Sequence, residues 1–156
     1  MKKLITSLLC SVLLFCNCVY GHSLNFDVRT KSDITAAQLD AKLKNKLKGM
    51  GEVFVSCQEK YGVNAVFLAA IAIHESGNGS SKAAKSKNNF FGLMGKRGQL
   101  KFDTPQECIE CAANNLTKKD GYYFGKGRYT ISKIGRKYAS DKKWSSRVIK
   151  TMKSIQ

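Results

Sequence analysis

The stretch VFLAAIAIHESGNGSSKAAKSKNNFFGLMG, Val66 to Gly95, decides how the chain is read. From Val66 to Ile73 every side chain is apolar. A helix that is apolar all round has no face to show to water and lies inside a core built by other elements. Asn64 is a residue type that caps a helix start, and Gly77 and Gly79 follow the run closely, so a helix is predicted from Ala65 to about Glu75. Beyond it a polar loop is expected to reach Asn88. Glu75 is the single acidic residue between Glu59 and Asp103, and it falls on the last turn of the most apolar helix.

The segments around that helix supply its packing partners. Thr35-Ala-Ala-Gln38 has the spacing of a capping box, and Leu39, Leu43 and Leu47 follow at helical spacing until Gly49 and Gly51. A helix from Glu52 to Tyr61 would turn Val53, Phe54 and Cys57 inward and stop at Gly62. Thr104-Pro105-Gln106-Glu107 repeats the capping pattern with proline at the first helical position, opening a helix towards Leu116. KKDGYYFGKGRYT reads as a Gly- and Tyr-rich loop, and two final helices are predicted over Ile131 to Tyr138 and Asp141 to Ile155. The fold class is therefore mainly α, with at most a short hairpin between Phe91 and Phe102.

The chain ends and the charge bound the setting. Met1-Lys2-Lys3, an apolar run from Leu4 to Val19 and small residues at its exit make an export signal cut after Gly21. As a membrane span the run is marginal, so no stable insertion is expected once it is removed. Residues 22–156 then form one domain with one core, too short for two. The formal net charge of +16 calls for an acidic partner or surface. Export weighs against nucleic acid, and no nucleic-acid motif is present. An anionic cell-wall surface fits, with long-range attraction that weakens in salt. The expected location is periplasm, cell wall or outside the cell, as a monomer.

Three cysteines follow the leader, Cys57, Cys108 and Cys111. In an oxidising compartment one disulfide is expected, from Cys57 to one of the other two. Cys108-Ile-Glu-Cys111 is read as a helical i,i+3 pair. A redox motif should follow a strand, and a zinc site would need His22 or His74 as a further ligand. No metal or cofactor is expected.

A carboxyl group at the end of a buried helix meets two influences that favour its protonated form, desolvation and the partial negative charge of the helix C-terminus. A neutral carboxylic acid can give its proton to a leaving oxygen, the demand of glycoside cleavage. The bland alternative is a solvated carboxylate paired with Lys82 or Lys85. His74 lies about 100° away around the helix and reads as a packed histidine. Tyr122, Tyr123, Phe124 and Tyr129, interleaved with Lys126 and Arg128, are candidates to stack on sugar rings, with core cover as the equal alternative. Trp144, on the final amphipathic helix, reads as core.

The segment Glu75-Ser76-Gly77-Asn78-Gly79-Ser80-Ser81-Lys82, followed by Asn88-Asn89-Phe90-Phe91-Gly92, resembles the glucosaminidase family of cell-wall hydrolases. The resemblance extends through ITAAQLDAKLKNKLKGMGEVF, FDTPQECIECAANNL and YASDKKWSSRVIKTM, almost the whole chain after the leader. It implies a lysozyme-like helical domain that cuts the β-1,4 bond after N-acetylglucosamine in peptidoglycan. It also implies Glu75 as the general acid, Tyr138 as an active-site tyrosine, and Asn88, Asn89 and Phe91 in the wall motif. Tyr122 and Tyr123 complete the expected substrate-binding set.

The chain departs from that pattern between Gly92 and Phe102, where members carry a longer β-lobe with a second carboxylate and GLMGKRGQLKF has none. Asp103 and Glu107 are nearest in sequence, and capping is the expected work of both. The general base is then replaced by the substrate's own acetamido group, or by a water held on Tyr138 and Asn89. Two rivals remain. A lytic transglycosylase also needs one glutamate and carries Gly-Leu-Met-Gln, against Gly92-Leu93-Met94-Gly95 here. A non-catalytic cationic wall binder would keep the shell without the chemistry.

Overall fold

The structure is a computed structural model describing residues 22–156. The export leader expected over residues 1–21, with its cut after Gly21, lies outside the described residues. Within them the order is α1 (Ala36–Asp40), a 3-10 turn (Asn45–Leu47), α2 (Gly51–Tyr61), α3 (Ala65–Ser76), α4 (Lys82–Lys87), β1 (Met94–Gly95), β2 (Gly98–Gln99), α5 (Pro105–Thr117), α6 (Ile131–Tyr138) and α7 (Trp144–Ile155). The fold is mainly α with one reduced antiparallel hairpin, pairing Met94 with Gln99 and Gly95 with Gly98.

α3 is the axis of the molecule. Every residue from Ala65 to Ala72 is fully buried. Asn64 caps it by accepting from the Phe67 N–H at 2.9 Å, while its Nδ2 donates to the Thr30 carbonyl at 2.7 Å. α7 packs along α3, and α2 joins α3 to α5. Leu39, Leu47, Phe54, Phe67, Ile109, Leu116, Ile134 and Trp144 fill the spaces between them. No helix among the described residues is long and apolar enough to cross a membrane.

Three elements differ from the sequence expectation, the least of them α7, which begins at Trp144 and not at Asp141. The helix begun by the Thr35–Gln38 capping box stops at Asp40 instead of continuing through Leu47. The cause is tertiary. Asn78 clamps the chain there, its Oδ1 accepting from Lys44 N–H at 2.9 Å and its Nδ2 donating to the Lys42 carbonyl at 3.1 Å. Leu39, Leu43 and Leu47 are nonetheless all buried. The predicted loop from Gly77 to Asn88 also contains α4, capped by Ser81 Oγ on the Ala84 N–H.

The cysteines are a correction. Cys57, Cys108 and Cys111 are free thiols, with none of the expected disulfide. Cys108 Sγ accepts from the Phe90 N–H and Cys111 Sγ from Asn115 Nδ2, so each serves its own neighbourhood. Burial, helped by the charge of Glu110, pushes the Cys57 thiol up to about 11. Burial takes Cys108 up to about 12. Both stay protonated at neutral pH, where a thiol is a poor nucleophile.

Candidate active site

Glu75 sits one residue before the end of α3, and the chain turns there because Gly77 takes the left-handed cap conformation at φ 58°. The fully buried Ser76 stitches the turn, donating to the Ala72 carbonyl and accepting from the Gly79 N–H at 2.8 Å. Glu75 itself is exposed. The desolvation expected of Glu75 therefore does not hold: the last turn of α3 keeps Ser76 in the core and turns Glu75 out to the surface.

The contact that organises Glu75 comes from a residue that the sequence reading assigned to the core. Trp144, only 2% exposed, donates its indole Nε1–H to Glu75 Oε1 at 2.7 Å. Its ring is core, as the sequence suggests, while its polar edge reaches Glu75. A buried indole N–H must find an acceptor, and that need was the available signal.

From Trp144 a row of aromatic rings runs outward. Tyr138 stacks on Trp144 with centroids 4.8 Å apart and planes 23° from parallel. Tyr123 lies 5.3 Å from Tyr138, and Tyr122 meets Tyr123 edge-on at 5.2 Å. Tyr122 is 61% exposed, so the row ends in an exposed tyrosine, with Lys137 Nζ 5.5 Å from its ring centroid. Arg128 holds this loop from behind, donating from Nη2 to the Tyr122 carbonyl at 2.7 Å and from Nε to the Tyr123 carbonyl at 3.1 Å. The other two aromatics of the loop do the second job foreseen for it. Phe124 is buried and packs edge-on against Tyr129 at 5.5 Å.

Burial, followed by the negative charge of Glu75, pushes the Tyr138 hydroxyl well above its ordinary range. Tyr123 is raised by burial first, then by Tyr122 and Glu75. Both hydroxyls stay neutral at physiological pH, so neither offers a phenolate base. Tyr138 Oη donates to the Phe91 carbonyl at 2.9 Å, tying α6 to the segment before the hairpin.

The Asn88–Phe91 motif shapes that segment from within. Asn89 is 2% exposed, and its Nδ2 donates to the Leu93 and Leu100 carbonyls, both at 2.9 Å, while Oδ1 accepts from Leu93 N–H. Asn88 Nδ2 bridges the Phe102 and Asp103 carbonyls at 3.0 Å each. Phe91 is buried at 3% exposure. Together they tie both ends of the hairpin to each other and to the segment that leads into α5. The Asp103 N–H donates to Glu107 Oε2 at 3.0 Å, and Thr104 Oγ1 accepts from Glu107 N–H at 3.2 Å, so Glu107 closes the start of α5.

A cavity of about 390 Å3, lined by Leu24, Ser132, Arg136, Asp141 and Ser146 among others, contains none of the row. Glu75 and Tyr122 are exposed instead, an arrangement open to a chain that passes across the surface.

Comparison with known proteins adds a family and solved relatives. The model of the glucosaminidase family, described as mannosyl-glycoprotein endo-beta-N-acetylglucosaminidase, matches residues 51–156. A protein of Streptococcus pneumoniae serotype 4 named "Putative endo-beta-N-acetylglucosaminidase" is 30% identical over 144 residues, covering 83% of this chain and 21% of that protein. The chain thus spans about a fifth of the length of the curated relatives it matches. A catalytic mutant of Staphylococcus aureus autolysin E, solved with the disaccharide NAG-NAM, superposes with a TM-score of 0.73 at 25% identity, covering 85% of this chain and 71% of that one. The same autolysin solved with the muropeptide NAM-L-Ala-D-iGlu gives the same TM-score and coverage.

Proposed function

Because the chain belongs to the glucosaminidase family, we propose that it is a glycoside hydrolase acting on peptidoglycan, cutting the β-1,4 bond after N-acetylglucosamine with Glu75 as general acid. The observation that carries this reading is the placement of Glu75 at the end of the buried α3, held by Trp144 at 2.7 Å and flanked by an aromatic row ending in an exposed tyrosine. Such rings suit the apolar faces of sugars. The disaccharide and muropeptide bound by autolysin E support the substrate class. Residues 22–156 serve as the catalytic domain, and residues 1–21 as an export leader that delivers it to the periplasm, wall or exterior. The net charge of +16, or 16 − 2 = +14 without Lys2 and Lys3 of the leader, draws it to anionic wall.

In this reading the glycan lies over Tyr122 and Tyr123, with Asn88, Asn89 and Phe91 shaping the wall on the hairpin side. Glu75 protonates the glycosidic oxygen as its bond to the anomeric carbon breaks. The hairpin supplies no carboxylate to activate water. Of the two replacements foreseen, a water held on Tyr138 and Asn89 has the weaker support, because the donors of both are committed to backbone carbonyls. The acetamido oxygen of the N-acetylglucosamine unit is then the internal nucleophile, and water opens the resulting oxazolinium ring while its proton passes to the Glu75 carboxylate, a recognised route in which no second carboxylate acts as nucleophile.

The same missing carboxylate favours one rival, a transglycosylase in which the sugar's 6-hydroxyl attacks. Digestion of purified peptidoglycan followed by mass spectrometry of the new ends separates them. Reducing N-acetylglucosamine ends are expected. Anhydro-muramic ends would replace this reading with the transglycosylase, and sedimentation with the wall without new ends would leave a binder. Asp103→Asn is expected to keep cleavage within about twofold of wild type, in line with usual surface substitutions. A loss as deep as that of Glu75→Gln with the fold intact would make Asp103 the base and remove the substrate-assisted route.

A further inference from the structure

We infer that Trp144 is the positioning residue of the general acid: its indole N–H, bound to Glu75 Oε1, fixes the carboxyl group so that the proton to be transferred is carried on Oε2. The inference rests on the reading of Glu75 as the acid and goes beyond it by naming what aims that acid and which oxygen delivers.

The geometry limits both partners. The indole is a donor only, and in a protonated carboxyl group the carbonyl oxygen is a better acceptor than the hydroxyl oxygen, so the oxygen facing the indole is favoured as the carbonyl and the proton as sitting on Oε2. At 2.7 Å the bond is at the short end of the range for an N–H donor on a charged oxygen. Among the described residues no other side chain donates to Glu75, whose own backbone position ends a helix and leaves the carboxylate exposed. Trp144, by contrast, is held on several sides. It is the first residue of α7, which packs along α3. Tyr138 covers one ring face at 4.8 Å, and Tyr138 is itself tethered to the Phe91 carbonyl. At Gly135 a Cβ would stand 2.9 Å from Trp144 Cε3 and 2.1 Å from Ser145 Oγ, so α6 reaches the indole only because that position is bare. A rigid donor thus holds an otherwise free acid.

The chemistry follows. As the proton passes from Oε2 to the glycosidic oxygen, the electrons of the breaking carbon–oxygen bond remain with that oxygen and the carboxyl group becomes an anion. The indole N–H then binds a full charge, and the bond is stronger in the transition state than before it. Loss of such a bond is expected to cost about 10- to 100-fold in rate.

The test uses Trp144→Phe, which keeps an aromatic ring against Tyr138 and removes the donor. The expected result is a kcat lower by about 10- to 100-fold with KM within about twofold. The alkaline limb of the pH–rate profile is expected to move to higher pH, since the anion has lost a hydrogen bond that favoured it. A role in packing alone would lower the melting temperature or change KM and leave the limb where it was, and that outcome overturns the inference.

A second measurement needs no turnover. Trp144 is the only tryptophan in the chain. Its emission is expected to pass through a pH transition in the wild type that is absent in Glu75→Gln. An identical transition in both, or none in either, would show that the indole does not sense this carboxyl group and would also overturn the inference. Should the wild type release no new glycan ends while the emission transition is lost in Glu75→Gln, the contact is real but the hydrolase reading fails, and the positioning role falls with it.

Discussion

Glu75→Gln is expected to lower glycan cleavage by about a thousandfold while shifting the unfolding temperature by no more than about 2 °C. The two halves of that expectation come from different parts of the structure. Glu75 is exposed, so its charge is not enclosed in the core and its removal leaves no cavity. The amide oxygen of glutamine can still accept the Trp144 N–H that now reaches Oε1 at 2.7 Å, so the indole keeps a partner and the stack on Tyr138 keeps its place. What disappears is the proton. An amide cannot supply one to a leaving sugar oxygen, and general acid catalysis ordinarily contributes about 10²- to 10⁴-fold. Initial rates of release of reducing ends from peptidoglycan, with unfolding curves on the same samples, check both halves. A loss smaller than about tenfold with the fold intact would move the acid elsewhere. The contrast with Trp144→Phe is informative too: that variant keeps the proton and loses the aim, so it should retain much more of the rate.

The parts of this molecule that were legible in its sequence are those settled by local physics. Eight successive apolar residues declared α3 buried, and Asn64 marked its start with a side chain that does accept from Phe67 N–H. Thr104 before Pro105 marked α5, and the bounds foreseen for α6 match Ile131–Tyr138. The hairpin was foreseen as short and carries two residues in each strand. The features that escaped depend on residues far apart in the chain. α1 has a good cap and helical leucines, yet Asn78, more than thirty positions later, takes hold of Lys42 and Lys44 and ends it early. Trp144 looked like core because composition records only that an indole is large and apolar; which acceptor its N–H meets depends on how α7 lies on α3. The burial expected of Glu75 failed for a related reason. Periodicity reports how a helix is surrounded on average, and the last turn, where the chain leaves the core, is where that average stops applying.

Gly79→Ala is expected to be the most damaging small substitution in the glycine-rich segment, costing roughly 2–4 kcal/mol and lowering the unfolding temperature by about 5–15 °C. Gly79 has φ 80°, a left-handed conformation that alanine adopts only with strain. That term alone can be measured at Gly49, where φ is 86° and a Cβ would meet nothing within 4 Å. Gly49→Ala should therefore cost only about 1 kcal/mol. At Gly79 a Cβ would lie 2.8 Å from Leu47 N, 2.9 Å from Lys46 N and 3.1 Å from Lys44 O. These are backbone atoms and cannot swing aside as a side chain would. The loop would have to back away, stretching the Asn78 bonds to Lys42 and Lys44 and the bond from Gly79 N–H to Ser76 Oγ. Ser76 adjoins Glu75, so activity in Gly79→Ala should fall by more than the unfolded fraction explains, whereas Gly49→Ala should stay active. Paired thermal unfolding and cleavage assays at a temperature where both variants are folded decide it. Equal costs at the two positions would mean that the loop yields easily. Unequal costs would make Gly79 the place where the end of α3 is seated against the leucine-bearing segment, and would explain why Glu75 is followed by a glycine four positions on: the spacing serves docking, and through docking the orientation of Glu75.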